Sequence, residues 1–253
     1  MPTSRSGADR AGRASAAAGD ADGSAHPAAG LGRVLITGGA SGLGAAVADA
    51  VAKHGGEPIV FDRVPPSARH EFVVVDLADT ARTQHAVAHV AEQGLDAVVT
   101  CAGVDSCGPM SEVDWQDWER VVRVNLFGTA AVVRAALPAL QASRGAVVTV
   151  ASTLGLRALP EATAYSAAKF AVVGMSRALG AELAGQVRVT CLVPAGMRTA
   201  FFDGRPAKYR PGPDAPLMDP ADVAETVIDV LSARGTGIVR ELVITAPGEP
   251  SWP

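Results

Sequence analysis

From Leu31 onward the chain alternates short, wholly apolar runs with longer segments in which apolar residues return every three to four positions. A strand apolar on both faces must be covered on both, whereas the three-to-four spacing marks a helix with one buried stripe. The runs 33–37, 58–62, 71–76, 95–100, 145–151, 187–193 and 240–245 are therefore expected strands. Helices are expected at 43–53, about 80–93, 115–140, about 162–183 and 220–233. Seven such strands separated mainly by helices predict a doubly wound α/β fold, a seven-stranded and mainly parallel sheet with helices on both faces. Ligands of such sheets lie beyond the carboxyl ends of the strands.

One crossover departs from the pattern. Between Asp62 and Glu71 stand only Arg-Val-Pro-Pro-Ser-Ala-Arg-His. A helical crossover ordinarily needs roughly a dozen residues or more, and proline breaks a helix interior. An abbreviated connection is expected, leaving that sheet edge exposed or covered by another part of the chain.

Residues 1 to about 30 are Ala, Gly, Ser, Asp and Arg with no apolar periodicity. They bury too little to offset their ordering entropy and are expected to be a disordered tail, without the apolar middle of a signal peptide. Residues 31–253 suffice for one large domain. No run approaches the roughly eighteen consecutive apolar residues of a membrane span, so no membrane partner is expected. A net charge of −4, scattered along the chain, provides no footprint for nucleic acid. Cys101, Cys107 and Cys191 are odd in number and lack ligand spacing, which suits reduced thiols in the cytoplasm. The histidines form no ligand set, and no metal is expected.

The chemistry begins after the first strand, at Thr37-Gly-Gly-Ala-Ser-Gly-Leu-Gly44. Gly38, Gly42 and Gly44, with Ser41 and Leu43, allow a tight turn, close approach of a pyrophosphate and close seating of a helix whose amino end attracts anions. Asp62 stands 18 residues beyond Gly44 at the end of the second strand, placed to accept hydrogen bonds from an adenosine ribose. Its charge would repel a 2'-phosphate, which favours NAD over NADP; Arg63 beside it would attract one. Asp76 is placed to receive the adenine amino group, with Leu77 lining the ring pocket; a helix-capping role is the alternative. Cys101, Ala102 and Gly103 close the fourth strand, the latter two small enough for a cofactor to lie against the backbone.

Tyr165 and Lys169 are four apart on an expected helix and share one face. A phenol near its ordinary pKa of about 10 is a poor base at neutrality. A neighbouring ammonium and a nicotinamide's positive charge would both favour phenolate. Ser152, after the fifth strand, is placed to donate a hydrogen bond to a substrate oxygen beside Tyr165.

Together these residues resemble the short-chain dehydrogenase/reductase family, whose fold is Rossmann-like. Thr37-Gly-x-x-x-Gly-x-Gly44 is similar to its nucleotide turn, Tyr165-x-x-x-Lys169 to its active-site signature, and Ser152 precedes Tyr165 by the usual 13 positions. Asn125, in Val124-Asn-Leu-Phe-Gly128, matches the fourth catalytic member. The resemblance covers about 31–246. It implies reversible NAD-dependent hydride transfer between a secondary alcohol and the corresponding ketone or 3-oxoacyl compound, with Tyr165 moving the proton; a non-catalytic NAD-binding sensor and an NAD-retaining epimerase or dehydratase are the alternatives. Lys169 would lower the tyrosine's pKa and hold the nicotinamide ribose, while Ser152 orients substrate and Asn125 holds a proton-relay water. Asn125 also admits a structural reading, as a backbone-bonding residue at a helix distortion.

Two departures accompany the match. Cys101-Ala-Gly103 replaces Asn-Ala-Gly, and Pro194-Ala-Gly196 replaces Pro-Gly, although Thr199 keeps its offset from Pro194. Pro194, Gly196 and Thr199 are expected at the carboxamide end of the cofactor. The segment 196–218, with Met197, Phe201, Phe202, Tyr209 and Met218, is expected to cover a small alcohol or carbonyl substrate. Asp105, Ser106, Met110, residues 154–157 and Leu159 are further candidate walls. Arg157, Arg205, Lys208 and Arg210 are read as solvated loop charges, with contact to an anionic group such as a carboxylate or a carrier phosphate as the alternative. Family practice implies a homotetramer or dimer through the two long helices, and Trp252 is a candidate anchor for the C-terminal end.

Overall fold

The computed structural model describes residues 30–233 and 235–249. The N-terminal tail and Trp252 lie outside the described residues.

The chain runs β1 (Arg33–Thr37), α1 (Gly42–Lys53), β2 (Glu57–Asp62), β3 (Glu71–Val74), α2 (Thr80–Ala91) and β4 (Ala97–Thr100). It continues through α3 (Trp115–Val122), α4 (Thr129–Ser143), β5 (Ala146–Val150), α5 (Thr163–Glu182), β6 (Arg188–Pro194), α6 (Pro220–Ser232) and β7 (Glu241–Ile244). The strands form one sheet in the order β3-β2-β1-β4-β5-β6-β7. Every neighbouring pair is parallel. This is the doubly wound architecture, and strand order reverses between β1 and β4, where a crevice opens.

Alternate side chains of β1 serve different cores. Val34 and Ile36 pack with Val47 and Val51 of α1 and Val227 and Leu231 of α6. Leu35 faces the opposite layer with Val87 of α2 and Val132 and Leu140 of α4. Coverage of both faces explains why the central strands are apolar at most positions, with buried threonines among them.

Register aligns the carboxyl ends. Thr37 pairs with both Phe61 and Thr100, Thr100 with Thr149, and Val150 with Leu192. The segments that follow β1, β2, β4, β5 and β6 therefore leave the sheet at one edge.

The abbreviated connection from β2 to β3 contains no helix, and Phe72 and Val74 on edge strand β3 are 47% and 52% exposed. His70 fastens the connection to α1 through a 2.9 Å contact with Asp49.

The expected helix 115–140 differs in being interrupted. A π-helical turn at Arg123–Gly128 separates α3 from α4. Gly128 lies where a Cβ would come within 2.8 Å of the Leu77 Cβ, so the widened turn seats against the loop after β3. The run Trp115–Ser143 is long and apolar enough by composition to cross a membrane, and 50% of its most apolar window is buried inside the fold. Its packing against the sheet and α2 accounts for that apolarity.

Candidate active site

The loop after β1 is shaped by what it must avoid. Gly38 and Gly42 have φ of 70° and 55°, a region that disfavours side chains. A Cβ on Gly38 would lie 2.7 Å from the Ala102 Cα, and one on Gly44 would lie 2.2 Å from the Gly38 carbonyl oxygen. The loop is also pinned from two sides: the Gly38 N–H donates to the Phe61 carbonyl at 2.8 Å, and Ala40 N–H to Asp62 Oδ2 at 3.0 Å. Ser41, before α1, makes no side-chain capping bond. Asp62 Oδ1 accepts the N–H of Arg63 at 2.6 Å, which orients the carboxylate at the end of β2.

Every residue expected to touch the cofactor, from Gly38 to Thr199, lines one cleft of about 710 Å³, as does Ser152. Thr199 faces the glycine loop, since a Cβ on Gly42 would meet its side chain at 3.4 Å. Gly103 likewise leaves room: a Cβ there would lie 3.3 Å from Asn125 Oδ1 and 3.8 Å from Lys169 Nζ. Backbone laid bare at Gly38, Gly44 and Gly103, a helix amino end and a carboxylate at the next strand together fit a dinucleotide.

Asp76 is more engaged than the sequence indicates. Its Oδ1 accepts the Ala78 N–H at 2.9 Å, and its Oδ2 meets the Arg120 guanidinium at 3.0 Å. Burial opposes its ionisation, but the Ala78 amide and Arg120 outweigh it and hold the carboxyl below its usual range. The capping position of α2 belongs to Asp79, which accepts the Arg82 N–H. Arg120 itself lines the cleft. Sequence reading missed it because an arginine on the amphipathic helix before Asn125 looks like an ordinary solvated charge.

Lys169 is buried on α5, with Nζ donating to the Val150 carbonyl at 2.8 Å and lying 5.5 Å from the Tyr165 ring centre. Burial pulls its pKa down to about 8. Ser152 and Tyr165 line the same cleft, and the serine hydroxyl acts to lower the phenol pKa. The Ser152 hydroxyl also accepts the Leu154 N–H at 3.1 Å, as cap of the short turn 153–155. Burial, then the Asp105 carboxylate, push Tyr165 up to about 12, with Ser152 and Arg205 acting the other way. Without a cofactor's positive charge, the protein groups by themselves thus raise the phenol pKa, and low polarity around the ring is the largest cause.

Asn125 does not line the cleft. It is fully buried in the π-turn, and its amide bonds both main-chain groups of Val104. Cys101 lines the cleft, and burial raises its thiol pKa to about 12. None of the three cysteines is disulfide-bonded. Among the described residues no group of three His, Cys, Asp or Glu side chains is placed to hold a metal ion.

The segment 196–218 is closed at its base by a bridge between Met197 and Met218, with the Met218 N–H donating to the Gly196 carbonyl at 3.0 Å. Phe201 packs on Tyr165 with ring centres 5.7 Å apart. Of the other candidate walls, Leu154 and Leu159 line the cleft, whereas Asp105, Ser106, Met110 and residues 155–157 do not. Arg205 overturns the reading of solvated loop charges. It is ion-paired with Asp105 at 2.7 Å, and their side chains are only 17% and 4% exposed. Spacing in sequence held no sign of a pair formed between residues 105 and 205.

The family model for short chain dehydrogenase matches residues 32–210, and the chain belongs to that family. A D-threitol dehydrogenase of Mycolicibacterium smegmatis is 36% identical over 65% of this chain and 70% of its own. Among solved structures, an alcohol dehydrogenase from Thermococcus sibiricus complexed with 5-hydroxy-NADP superposes with a TM-score of 0.74 at 23% identity, covering 84% of this chain and 95% of that one. A Brucella melitensis 16M protein described as ribose-5-phosphate isomerase superposes with a TM-score of 0.79 at 26% identity, over 86% and 92% of the two chains. The chain is thus an NAD(P)-dependent oxidoreductase of small alcohols and carbonyls, with a Rossmann-fold dinucleotide site.

Proposed function

We propose that the chain is an NAD-dependent dehydrogenase that interconverts a secondary alcohol with the corresponding ketone or 3-oxoacyl compound. The observation that carries this reading is that Ser152, Tyr165 and Lys169 line the same cleft as Asp62 and the glycine loop.

Bound dinucleotide supplies the hydride acceptor in oxidation and the hydride donor in reduction. Gly38, Ser41, Gly42, Leu43 and Gly44 hold its pyrophosphate, and Asp62 accepts the ribose hydroxyls with Arg63 alongside. A 2'-phosphate would meet the Asp62 carboxylate, hence NAD. Asp76 and Leu77 border the adenine, Cys101, Ala102 and Gly103 the backbone floor, and Pro194, Gly196 and Thr199 the carboxamide end. Ser152 donates to the substrate oxygen. Tyr165 takes the hydroxyl proton in oxidation and returns it in reduction. Lys169 holds the nicotinamide ribose and favours phenolate once the cofactor's positive charge joins it. Asn125 positions the Gly103–Val104 backbone from behind.

A redox-neutral reaction that retains the cofactor is the second reading, favoured by the resemblance to the Brucella isomerase. One assay separates them: near-ultraviolet absorbance of reduced nicotinamide, with NAD and with NADP, over a panel of secondary alcohols and 3-hydroxyacyl thioesters. Net reduction of NAD, abolished in Tyr165→Phe, is the expected result. Product formed without net reduction supports the second reading, and a preference for NADP overturns the role of Asp62. For assembly we infer a homotetramer, or failing that a dimer, through the helical stretch 115–143 and α5, supported by the exposed Phe127 and Phe170; sedimentation at the mass of four chains checks it.

A further inference from the structure

Above Tyr165 the substrate segment carries a guanidinium that the reaction chemistry leaves without a task. Arg205 lines the cleft, with its charged end 4.8 Å from the Phe201 ring centre and 4.6 Å from that of Phe202. Phe201 in turn rests on Tyr165. Behind Arg205, away from the cleft, sits Asp105, which receives its Nη2 at 2.7 Å. The carboxylate is held in place by the Ser106 N–H at 2.8 Å and the Cys107 thiol at 3.1 Å. Burial and then Asp105 push that thiol up to about 12, so it stays a donor at physiological pH. Arg205 Nη1 leans on the Tyr209 carbonyl at 3.5 Å, while its Nε is buried without a hydrogen-bond partner among the described residues.

A group bound in the cleft against Arg205 meets this buried pair. The charge of that group matters, because Asp105 already neutralises the guanidinium. A second carboxylate would leave one uncompensated negative charge in a poorly solvated wall, whereas an uncharged group adds none. The remaining charges nearby are exposed: Lys208 pairs with Glu161 at 3.6 Å, and Arg210 donates to the Arg205 carbonyl at 2.6 Å. Solvent screens these at the mouth far more than it screens the pair.

We propose that Asp105 is a specificity-determining residue: by neutralising Arg205 at the pocket wall it selects uncharged substrates over carboxylates. The inference rests on the reading above that this part of the cleft receives substrate. Leu154, Leu159 and Phe201 supply the apolar surface against which the rest of such a molecule packs. Negative selection of this kind works by placing a repelling group against the unwanted ligand.

The test is calorimetric titration of the full chain, with NAD present, by benzamide and by benzoate, equal in shape and different in charge. Benzamide is expected to bind at least about tenfold tighter to the wild type. In Asp105→Asn the freed guanidinium is expected to shift the ratio toward benzoate by about tenfold or more. The double variant Asp105→Asn/Arg205→Met, which buries no unpaired charge, is expected to favour benzamide again. A wild type that binds benzoate as well as benzamide overturns the proposal, as does an Asp105→Asn ratio equal to that of the wild type. Should Asp105→Asn fail to fold, the wild type and the double variant decide. Absence of binding by both probes overturns the substrate-site reading and the proposal together, whereas binding with the wrong charge preference overturns the proposal alone.

Discussion

The side-chain amide of Asn125 forms a ring with the main chain of Val104: Oδ1 accepts the Val104 N–H at 2.9 Å, and Nδ2 donates to the Val104 carbonyl at 2.8 Å. The π-turn makes this possible by shifting residue 125 out of helical step, toward the end of the segment that follows β4. Asn125→Ala removes the partner of both part-buried main-chain groups of Val104, each bond worth about 1 kcal/mol. Urea unfolding is expected to show a stability loss of about 2 kcal/mol or more, with turnover falling because the Gly103 floor moves.

Gly44→Ala tests the nucleotide loop. The added methyl would stand 2.2 Å from the Gly38 carbonyl oxygen, and both neighbours are backbone, so α1 must lift from the loop. Overpacking of this kind costs about 1–3 kcal/mol. Cofactor affinity, measured by titration calorimetry, is expected to fall at least about tenfold, more than in Gly237→Ala, where open space surrounds the position.

Tyr165 has a convenient readout, because the chain contains only two tyrosines. The ultraviolet difference between wild type and Tyr165→Phe, followed against pH, isolates its ionisation. Without cofactor the phenol is expected to titrate near about 12, and saturation with the positively charged oxidised cofactor is expected to lower it. An unchanged midpoint would argue against electrostatic activation by the cofactor.

Lys169 links stability to pH. Burial lowers its pKa from 10.5 to about 8, so the folded chain binds this proton less tightly than the unfolded chain. The penalty, on the order of 3 kcal/mol, is present in full below about pH 8 and is relieved as pH rises from about 8 to 10.5. Relative to Lys169→Met, the wild type is therefore expected to gain stability across that window in chemical unfolding. A constant difference from neutral to alkaline pH would refute the buried-charge account.

Asp62 is expected to govern cofactor choice. Asp62→Ala removes the charge that opposes a 2'-phosphate and leaves Arg63 beside the site. The ratio of kcat/KM for NADP over NAD is expected to rise about tenfold or more, with NAD use itself declining.

Much of this protein was legible along the chain. Strands buried on both faces have to be apolar throughout, so β1, β2, β4, β5 and β6 announced themselves, and the parallel sheet followed from the helices between them. Gly38, Gly44, Asp62, Tyr165 and Lys169 were equally visible, because their chemistry depends on local spacing: a turn, a strand end, one helical step. The missing helix between β2 and β3 could be read from proline and length alone.

Tertiary structure decided whatever depends on residues far apart in sequence. The break of helix 115–140 at Arg123–Gly128 arises from packing around Asn125, Val104 and Leu77, for which periodicity carries no mark. The raised pKa of Tyr165 reflects how much polarity the fold removes around one ring. The pairings of Asp76 with Arg120 and of Asp105 with Arg205 arise from convergence at the sheet edge. Hydrophobic patterning and backbone geometry are local, so the sequence alone determined the fold and which candidate residues stand at the ends of its strands. Electrostatic environment and ion pairing sum over neighbours brought together by folding, so only the three-dimensional structure assigned them.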